Sequence, residues 1–541
     1  MKRYFCLLAA LLMLTCIVPS GAEESIPKEG SAMGENGLIF HDGWDTDDNA
    51  RVFYEIFVGS FSDSDGDGTG DLRGIIGRMD YLNDGDPLSG KSLGVDGIWL
   101  TPVFVSPSYH KYDVSDYYTI DPAFGTMDDL RELAALCHER GVKLILDLPL
   151  NHTGSSHPWF RAFAAAHEKD DPNDPYYDFY NWLPAGSDVP AGRRFIPLGG
   201  TDILYECNFS DSMPELNFDL DAVREELLQI GLFYLELGAD GFRFDAAKYP
   251  YLGDHEKNAE FWGWYTGELK KANPAVYTVA EVWDSDSVTD RYAPSVNCFR
   301  FTFSQAEGRI AKTAKKGNVN IMTAATQAYL DNLRSINPDA MQIPFLANHD
   351  TDRAAGFLSV SGGAMAMAAN LYLLQPGSPF IYYGEEIGLR GSRGSAATDA
   401  NRRLAMRWGD GDTVADPEGS DYANQTEDTA LSMEEQDSSL LKHYRKVIAV
   451  RKANPEIARG TYTALAFEDS KAGGFLCAWQ GRTVAVMHNT TTKEAVLDLS
   501  AATELSFTEI SAILEAQPGK GGAKLEGNIL TLGPQTSAVL R

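Results

Sequence analysis

Gly241-Phe242-Arg243-Phe244-Asp245-Ala246-Ala247-Lys248 is the stretch around which the rest of the chain is organised. Apolar and polar residues alternate into an Asp that small residues follow, which predicts a short buried strand whose C-terminal end delivers a carboxylate. Arg243 lies two residues before Asp245, so on a strand the two side chains share a face. A guanidinium beside an Asp keeps that carboxyl ionised at neutral pH, the state a nucleophile needs. An Arg and Asp pair at a strand end also occurs as a plain structural ion pair, and this stretch alone leaves both readings open.

Outward from it, strand and helix patterns alternate. Strands are expected at 52–58, 97–102, 142–148, 241–244, 277–281, 298–303, 343–346 and 380–383. Helical patterns lie between them, among them 128–140, with an apolar stripe of Leu130, Leu133, Ala134 and Cys137 and Gly141 as its stop. Eight strands alternating with helices predict an α/β fold of TIM-barrel type, a (β/α)8 barrel built from 45–151 and 219–453. Residues 152–218 break the rhythm and read as a subdomain inserted after the third strand. From 454 to 541 short apolar runs are parted by Gly, Asn and Thr, which predicts a C-terminal antiparallel β-sandwich domain.

The chain of 541 residues is 44% hydrophobic and 23% charged, the composition of a globular protein, with a formal net charge of −31. Such a charge disfavours nucleic acid and anionic lipid and suits neutral ligands or cations. Lys2 and Arg3, an apolar run over 4–18, then Pro19, Ser20, Gly21 and Ala22 have the layout of a secretory signal, 1–22, followed by a flexible tether, 23–44. No later segment is apolar enough to span a bilayer, so the expectation is a secreted, extracellular protein. Lipidation of Cys16 is the less favoured alternative, because Thr15 fits poorly just before a lipidated Cys. Cys137, Cys207, Cys298 and Cys477 are widely spaced and outline neither a disulfide framework nor a zinc site, and leave room for one incidental bridge.

Carboxylates fall at the C-terminal ends of several expected strands: Asp147, Asp245, Glu281 and Asp350. A barrel gathers those ends on one face, the face where barrel enzymes do their chemistry, together with Arg243, His152 and His349. One ionised and one protonated carboxyl are what cleavage of a glycosidic bond requires. Arg243 nominates Asp245 as the ionised member, and the apolar neighbours of Glu281 in Val279-Ala280-Glu281-Val282-Trp283 nominate Glu281 as the acid. Tyr112 and Trp283 are candidate platforms for sugar faces, whereas Tyr117, Tyr118 and most of the Tyr-rich insert read as core. Asp63, Asp65, Asp67, Thr69 and Asp71 alternate in a Gly-rich turn and could converge on one Ca2+ ion; the plainer reading is a solvated acidic turn. The loop is not an EF-hand, since Gly74 stands where the bidentate Glu would be.

In their order along the chain, the motifs resemble those of the α-amylase family of glycoside hydrolases, family 13, over about residues 45–454. Gly94-Val95-Asp96-Gly97-Ile98-Trp99-Leu100-Thr101-Pro102 is similar to its second-strand motif, and Asp147-Leu148-Pro149-Leu150-Asn151-His152 to its third. Gly241 to Lys248 resembles the nucleophile motif, Ala280-Glu281-Val282-Trp283 the acid motif, and Phe345-Leu346-Ala347-Asn348-His349-Asp350 the motif of the third carboxylate. Gly377-Ser378-Pro379-Phe380-Ile381-Tyr382-Tyr383-Gly384-Glu385-Glu386 is similar to the eighth-strand motif. The resemblance implies Asp245 as nucleophile, Glu281 as acid and then base, and Asp350 as the group that binds sugar hydroxyls. It places Arg243, His152, His349 and Tyr112 in the lining of the attacked sugar's subsite, with Lys248 and Trp283 beside it, and makes the Asp-rich turn like a calcium loop found in part of the family. Retention through a covalent glycosyl-enzyme is implied as well.

Met213-Pro214-Glu215-Leu216-Asn217 resembles the group between oligo-1,6-glucosidases and neopullulanases, with Glu215 where that group usually has Asp. Tyr109 stands where exo-acting members tend to carry Asp, Trp283 follows the acid as in amylases, and Tyr249 replaces a common His on the leaving side. The implied activity is endo-cleavage of α-1,4 bonds in starch, maltodextrins and related α-glucans. The alternatives are a 4-α-glucanotransferase, a neopullulanase or cyclomaltodextrinase, an exo-α-glucosidase, and a relative that binds without catalysing.

Overall fold

The computed structural model describes residues 31–394, 399–468 and 471–541, so the expected signal segment and Cys16 lie outside the described residues. Seven parallel strands follow one another around the centre: Asn297–Cys298, Tyr277–Ala280, Gly241–Phe244, Lys143–Leu148, Gly97–Leu100, Phe53–Ile56 and Phe380–Tyr382. Single parallel bridges from Phe299 to Ile343 and from Phe345 to Phe380 join the two ends of this sheet, giving the TIM barrel. The expected strand at 343–346 is thus reduced to isolated bridges, because Pro344 has no N–H to give a ladder. The one expected at 298–303 shortens to Asn297–Cys298 and ends in a 3-10 turn, Phe301–Phe303.

Side chains pointing into the barrel are layered. An apolar plug of Phe53, Ile145, Tyr277, Val279, Phe345 and Phe380 fills the lower part, with Phe53 and Phe380 stacked at 4.6 Å. Two residues further along their strands, Glu55, Asp147 and Arg243 occupy the same face toward the C-terminal rim, all buried. Register pairs Arg243 with Asp147 directly. Gly241 begins its strand because a Cβ there would sit 1.9 Å from the Tyr277 carbonyl oxygen. The opposite strand faces pack on helices such as Met127–Glu139, Asp221–Glu236 and His255–Ala272.

Between Leu148 and Asp221 the chain forms the helix Pro158–Glu168 and a three-stranded antiparallel sheet, Trp182–Pro184, Ile203–Glu206 and Phe195–Pro197. After Leu440–Ala453 and Pro455–Arg459, a five-stranded and a three-stranded antiparallel sheet bury Leu465, Met487, Leu497, Leu530 and Leu540 between them.

The tether expected over 23–44 is corrected from Ala32 onward. Ala32–Met33 pairs with Ile39–Phe40, Phe40 is fully buried against Trp44, and His41 N–H donates to the Ala453 carbonyl at 3.0 Å. Phe40, at the end of the run Leu38-Ile39-Phe40, supplies the burial that the polar composition around it concealed, while Ile39 stays exposed. The four cysteines named above are free and buried. Among the described residues no helix is long and apolar enough to cross a membrane.

Candidate active site

Arg243 is the centre of the rim. One of its terminal nitrogens donates to Asp147 at 2.8 and 3.1 Å and to Asp245 Oδ1 at 2.6 Å, and the other lies 2.9 Å from Glu281 Oε2. A planar guanidinium holds several carboxylates in fixed directions from two separate nitrogens, whereas an ammonium is a compact point charge. Backbone geometry locks the arrangement. Glu281 N–H donates to the Phe244 carbonyl, and the chain turns sharply at Ala246, φ +48°, aiming its N–H at Glu281 Oε2 from 3.0 Å. A non-glycine residue in the left-handed region is a local cost that surrounding contacts must hold in place.

Burial is the largest influence on Glu281 and pushes its pKa up, to about 7; Arg243 pulls it back, while Asp245 and Asp350 push it further up. Asp147 rises to about 7 for the same first reason, with Arg243 again opposing. The sequence-based expectation of an acid with raised affinity at Glu281 therefore has a structural cause, burial among like charges more than apolar neighbours alone.

Asp350 forms the facing wall. Arg403 donates to its Oδ1 at 2.8 Å, and His349 Nε2 lies 3.0 Å from Oδ2. Burial would raise this carboxyl, but His349 and Arg403 override burial and hold it far below the usual range. His349 is itself pushed up to about 10: burial alone would lower it, and Asp350 and Glu55 outweigh that. With both ring nitrogens protonated, His349 donates to Glu55 at 2.6 Å on one side and serves Asp350 and the Tyr112 oxygen, 2.6 Å away, on the other. That leaves the Tyr112 hydroxyl to donate to Asp147 at 2.9 Å, so a continuous buried chain of hydrogen bonds connects the two walls.

The walls enclose a cavity of about 1210 Å³, lined by Tyr112, His152, Asp245, Lys248, Glu281, Trp283 and Asp350 among the expected residues. Arg243 and His349 correct the expectation: both are fully buried and lie beneath the lining, acting on the carboxyls from behind. His152 is held by its Nε2 contact with the Tyr112 carbonyl at 3.2 Å, and burial lowers its pKa to about 4, leaving it neutral. Lys248 donates to the Trp283 carbonyl at 2.8 Å and pairs with Asp284 at 3.2 Å. Trp283 is 41% exposed and stacks on Phe301 at 4.8 Å, leaving its other ring face open.

Sequence reasoning missed Arg403 and Arg402 as wall residues, although Asn401-Arg402-Arg403 after the last barrel strand is a compact basic signal. Arg403 also donates to the Tyr109 hydroxyl at 3.1 Å, fixing that ring at the cavity edge. Phe209, which went unassigned, and Tyr249, which replaces a common His on the leaving side, form an aromatic wall with ring centroids 4.5 Å apart. Tyr117 is buried as expected, whereas Tyr118 is 38% exposed, against expectation.

In the Asp-rich turn, carboxylate oxygens of Asp63, Asp65 and Asp71 lie within 4.8 Å of one another. Asp67 falls outside that group of carboxylates: its Oδ1 accepts the Thr69 N–H at 2.7 Å instead. Asp71 caps the helix Leu72–Gly77 through the Gly74 N–H. Three converging hard oxygens suit a calcium ion, though they are fewer than the six to eight it takes. Glu215 is buried near Glu206, and burial raises its pKa to about 8.

The family model for the alpha-amylase catalytic domain matches residues 55–460. Alpha-amylase 3 of Dictyoglomus thermophilum is 34% identical over 497 residues, covering 91% of this chain and 93% of that protein. A 4-alpha-glucanotransferase of Thermotoga neapolitana is 30% identical over 462 residues, covering 83% and 97%. Among solved structures, Eubacterium rectale Amy13B superposes with a TM-score of 0.83 at 34% identity, over 92% of this chain and 96% of that one. With its barrel, its clustered carboxyls and these similarities together, the chain belongs to the α-amylase family and is a glycosidase of that family.

Proposed function

We propose that this glycosidase cleaves internal α-1,4-glucosidic bonds of starch, maltodextrins and related α-glucans with retention of configuration. The observation that carries the reading is the single guanidinium of Arg243 touching both Asp245 and Glu281, one of which is pushed to a proton affinity near neutrality. Asp245 attacks the anomeric carbon, the bond to the leaving oxygen breaks, and Glu281 donates its proton to that oxygen. Glu281, now ionised, then takes a proton from water, which displaces Asp245 and releases the sugar. Asp350, ionised and fixed by Arg403 and His349, accepts hydrogen bonds from hydroxyls of the attacked ring. Trp283 and Tyr112 offer ring faces, and the Phe209 and Tyr249 wall suits further sugar units.

Asp245→Ala and Glu281→Gln are each expected to abolish turnover on maltoheptaose with an unchanged circular dichroism spectrum. Substantial activity left in either would overturn the assigned roles. Transfer to a sugar hydroxyl uses the same intermediate, and the similarity to a 4-alpha-glucanotransferase supports it as a second reading. Products longer than the supplied maltoheptaose at early times would favour transfer. We extend the proposal to a Ca2+ ion held by Asp63, Asp65 and Asp71, which would tie the turn together, and to action outside the cell, for which the layout of residues 1–22 is the support.

A further inference from the structure

Glu55 lies on the strand Phe53–Ile56, lines no part of the catalytic cavity and takes no step in the reaction above, yet its carboxyl is buried directly behind the Asp350 wall. A charge so placed is costly unless a partner meets it. His349 meets it twice: Glu55 Oε1 lies 2.6 Å from the ring Nδ1 and accepts the His349 backbone N–H at 3.2 Å. One oxygen thereby fixes both the turn of the chain at 349 and the rotation of the ring.

The acceptors around the ring assign its protons. Nε2 lies 3.0 Å from Asp350 Oδ2 and 2.6 Å from the Tyr112 oxygen. Arg403 keeps Asp350 ionised, and the Tyr112 hydroxyl gives its hydrogen to Asp147, so both present lone pairs to Nε2, which must carry a proton. On the other side a carboxylate at Glu55 only accepts, so Nδ1 carries a proton as well. A neutral imidazole has a single N–H and would leave one side facing lone pair to lone pair. The remaining groups facing the ring are the stacked Tyr112 ring at 5.4 Å, the Trp99 indole edge-on at 5.6 Å, Asp147 and Arg243 beyond Tyr112, and Arg403, which donates to the His349 carbonyl at 3.1 Å; Tyr382 is the register neighbour of Glu55. Asp350 is the group His349 serves on the cavity side, which leaves Glu55 as the anion that secures the second proton.

We propose that Glu55 is a positioning residue for the reaction: it holds His349 with a proton on each ring nitrogen, and so keeps an N–H aimed at Asp350 and Tyr112 on the sugar-facing side. The consequence for turnover rests on the role given to Asp350 above; the state of the ring does not.

The test is Glu55→Gln in the full chain. Gln keeps the shape and the acceptor oxygen and removes only the charge. A unit charge about 4 Å away at an effective dielectric near 20 is equivalent to about three pKa units, so the His349 proton, held to about pH 10 in the parent, leaves near pH 7 in the variant. Activity needs the protonated ring and is lost as pH rises: the alkaline limb of log kcat/KM on a chromogenic maltoside becomes steeper than the parent's by one proton, a further fall of roughly ten- to a hundredfold between pH 6 and 9. Glu55→Asp keeps the charge with a shorter reach and is expected to hold the parent's slope on a lower rate. A merely structural role gives the opposite order, because Gln fills the space of Glu and Asp leaves a void. Ring 15N signals, with His349 assigned by the signal lost in His349→Gln, read the proton without substrate: two N–H at pH 8.5 in the parent, one in Glu55→Gln. A ring still doubly protonated in Glu55→Gln, or the opposite order of the two variants, would overturn the proposal. A ring that loses its proton while the limb keeps the parent's slope would instead count against the role of Asp350.

Discussion

Replacing Arg243 with Met removes the cation that Asp147, Asp245 and Glu281 share while keeping a side chain of similar length. Two unit charges about 4 Å apart interact by about 4 kcal/mol at an effective dielectric near 20, equivalent to roughly three pKa units. Arg243 lies 2.9 Å from Glu281 and acts to lower its pKa, so its loss raises the proton affinity of Glu281. Water entering the vacated space reduces the shift, and an upward move of at least about one unit is expected. The sign follows from the acid role: activity needs protonated Glu281, so kcat/KM falls as pH rises through about 7 in the parent. In Arg243→Met that fall begins at higher pH, on a rate lower by more than about a hundredfold, because the carboxyls have also lost their common anchor. Removing one partner of a buried ion pair costs about 3–5 kcal/mol of stability, visible as a lower unfolding midpoint. Arg243→Lys restores the charge but not the fork, so it regains part of the stability and little of the activity. The assay is kcat/KM against pH on a chromogenic maltoside, paired with denaturant unfolding. A high-pH limb that stays in place in Arg243→Met would refute the claim that this guanidinium sets the proton affinity of Glu281.

Arg403→Ala removes a charged hydrogen bond to Asp350 worth about 1.5–3 kcal/mol and should lower kcat/KM by roughly ten- to a hundredfold; a value equal to the parent would show Asp350 to be held by His349 alone. EDTA is expected to lower the melting temperature of the parent but not of Asp63→Ala, and an unmoved parent would remove calcium as a stabilising ligand.

Several elements were legible residue by residue. The strand Gly241–Phe244 falls at its expected positions, because alternation into Asp245 and the need for a side-chain-free start at Gly241 are both local signals. Strand ends were overrun where proline or a 3-10 turn ended pairing, at Pro344 and after Cys298, since apolar runs announce burial and not hydrogen bonding. Leu38-Ile39-Phe40 was hidden by its polar surroundings, and Tyr118 was misassigned because two adjacent tyrosines on a strand must face opposite ways.

The chain's own order of residues determined which chemistry stands at each strand end: Asp147, Asp245, Glu281 and Asp350 were identifiable before any coordinates, because strand periodicity and barrel closure are properties of the pattern. Depth was decided only by the tertiary structure. Arg243 and His349 belong to the same motifs as Asp245 and Asp350 yet lie beneath the cavity wall, and Arg403 reaches that wall from a loop more than fifty residues beyond Asp350. Whether a side chain meets the ligand or holds the residue that does depends on how neighbouring strands tilt and close around it, and that spatial relation has no counterpart in linear spacing.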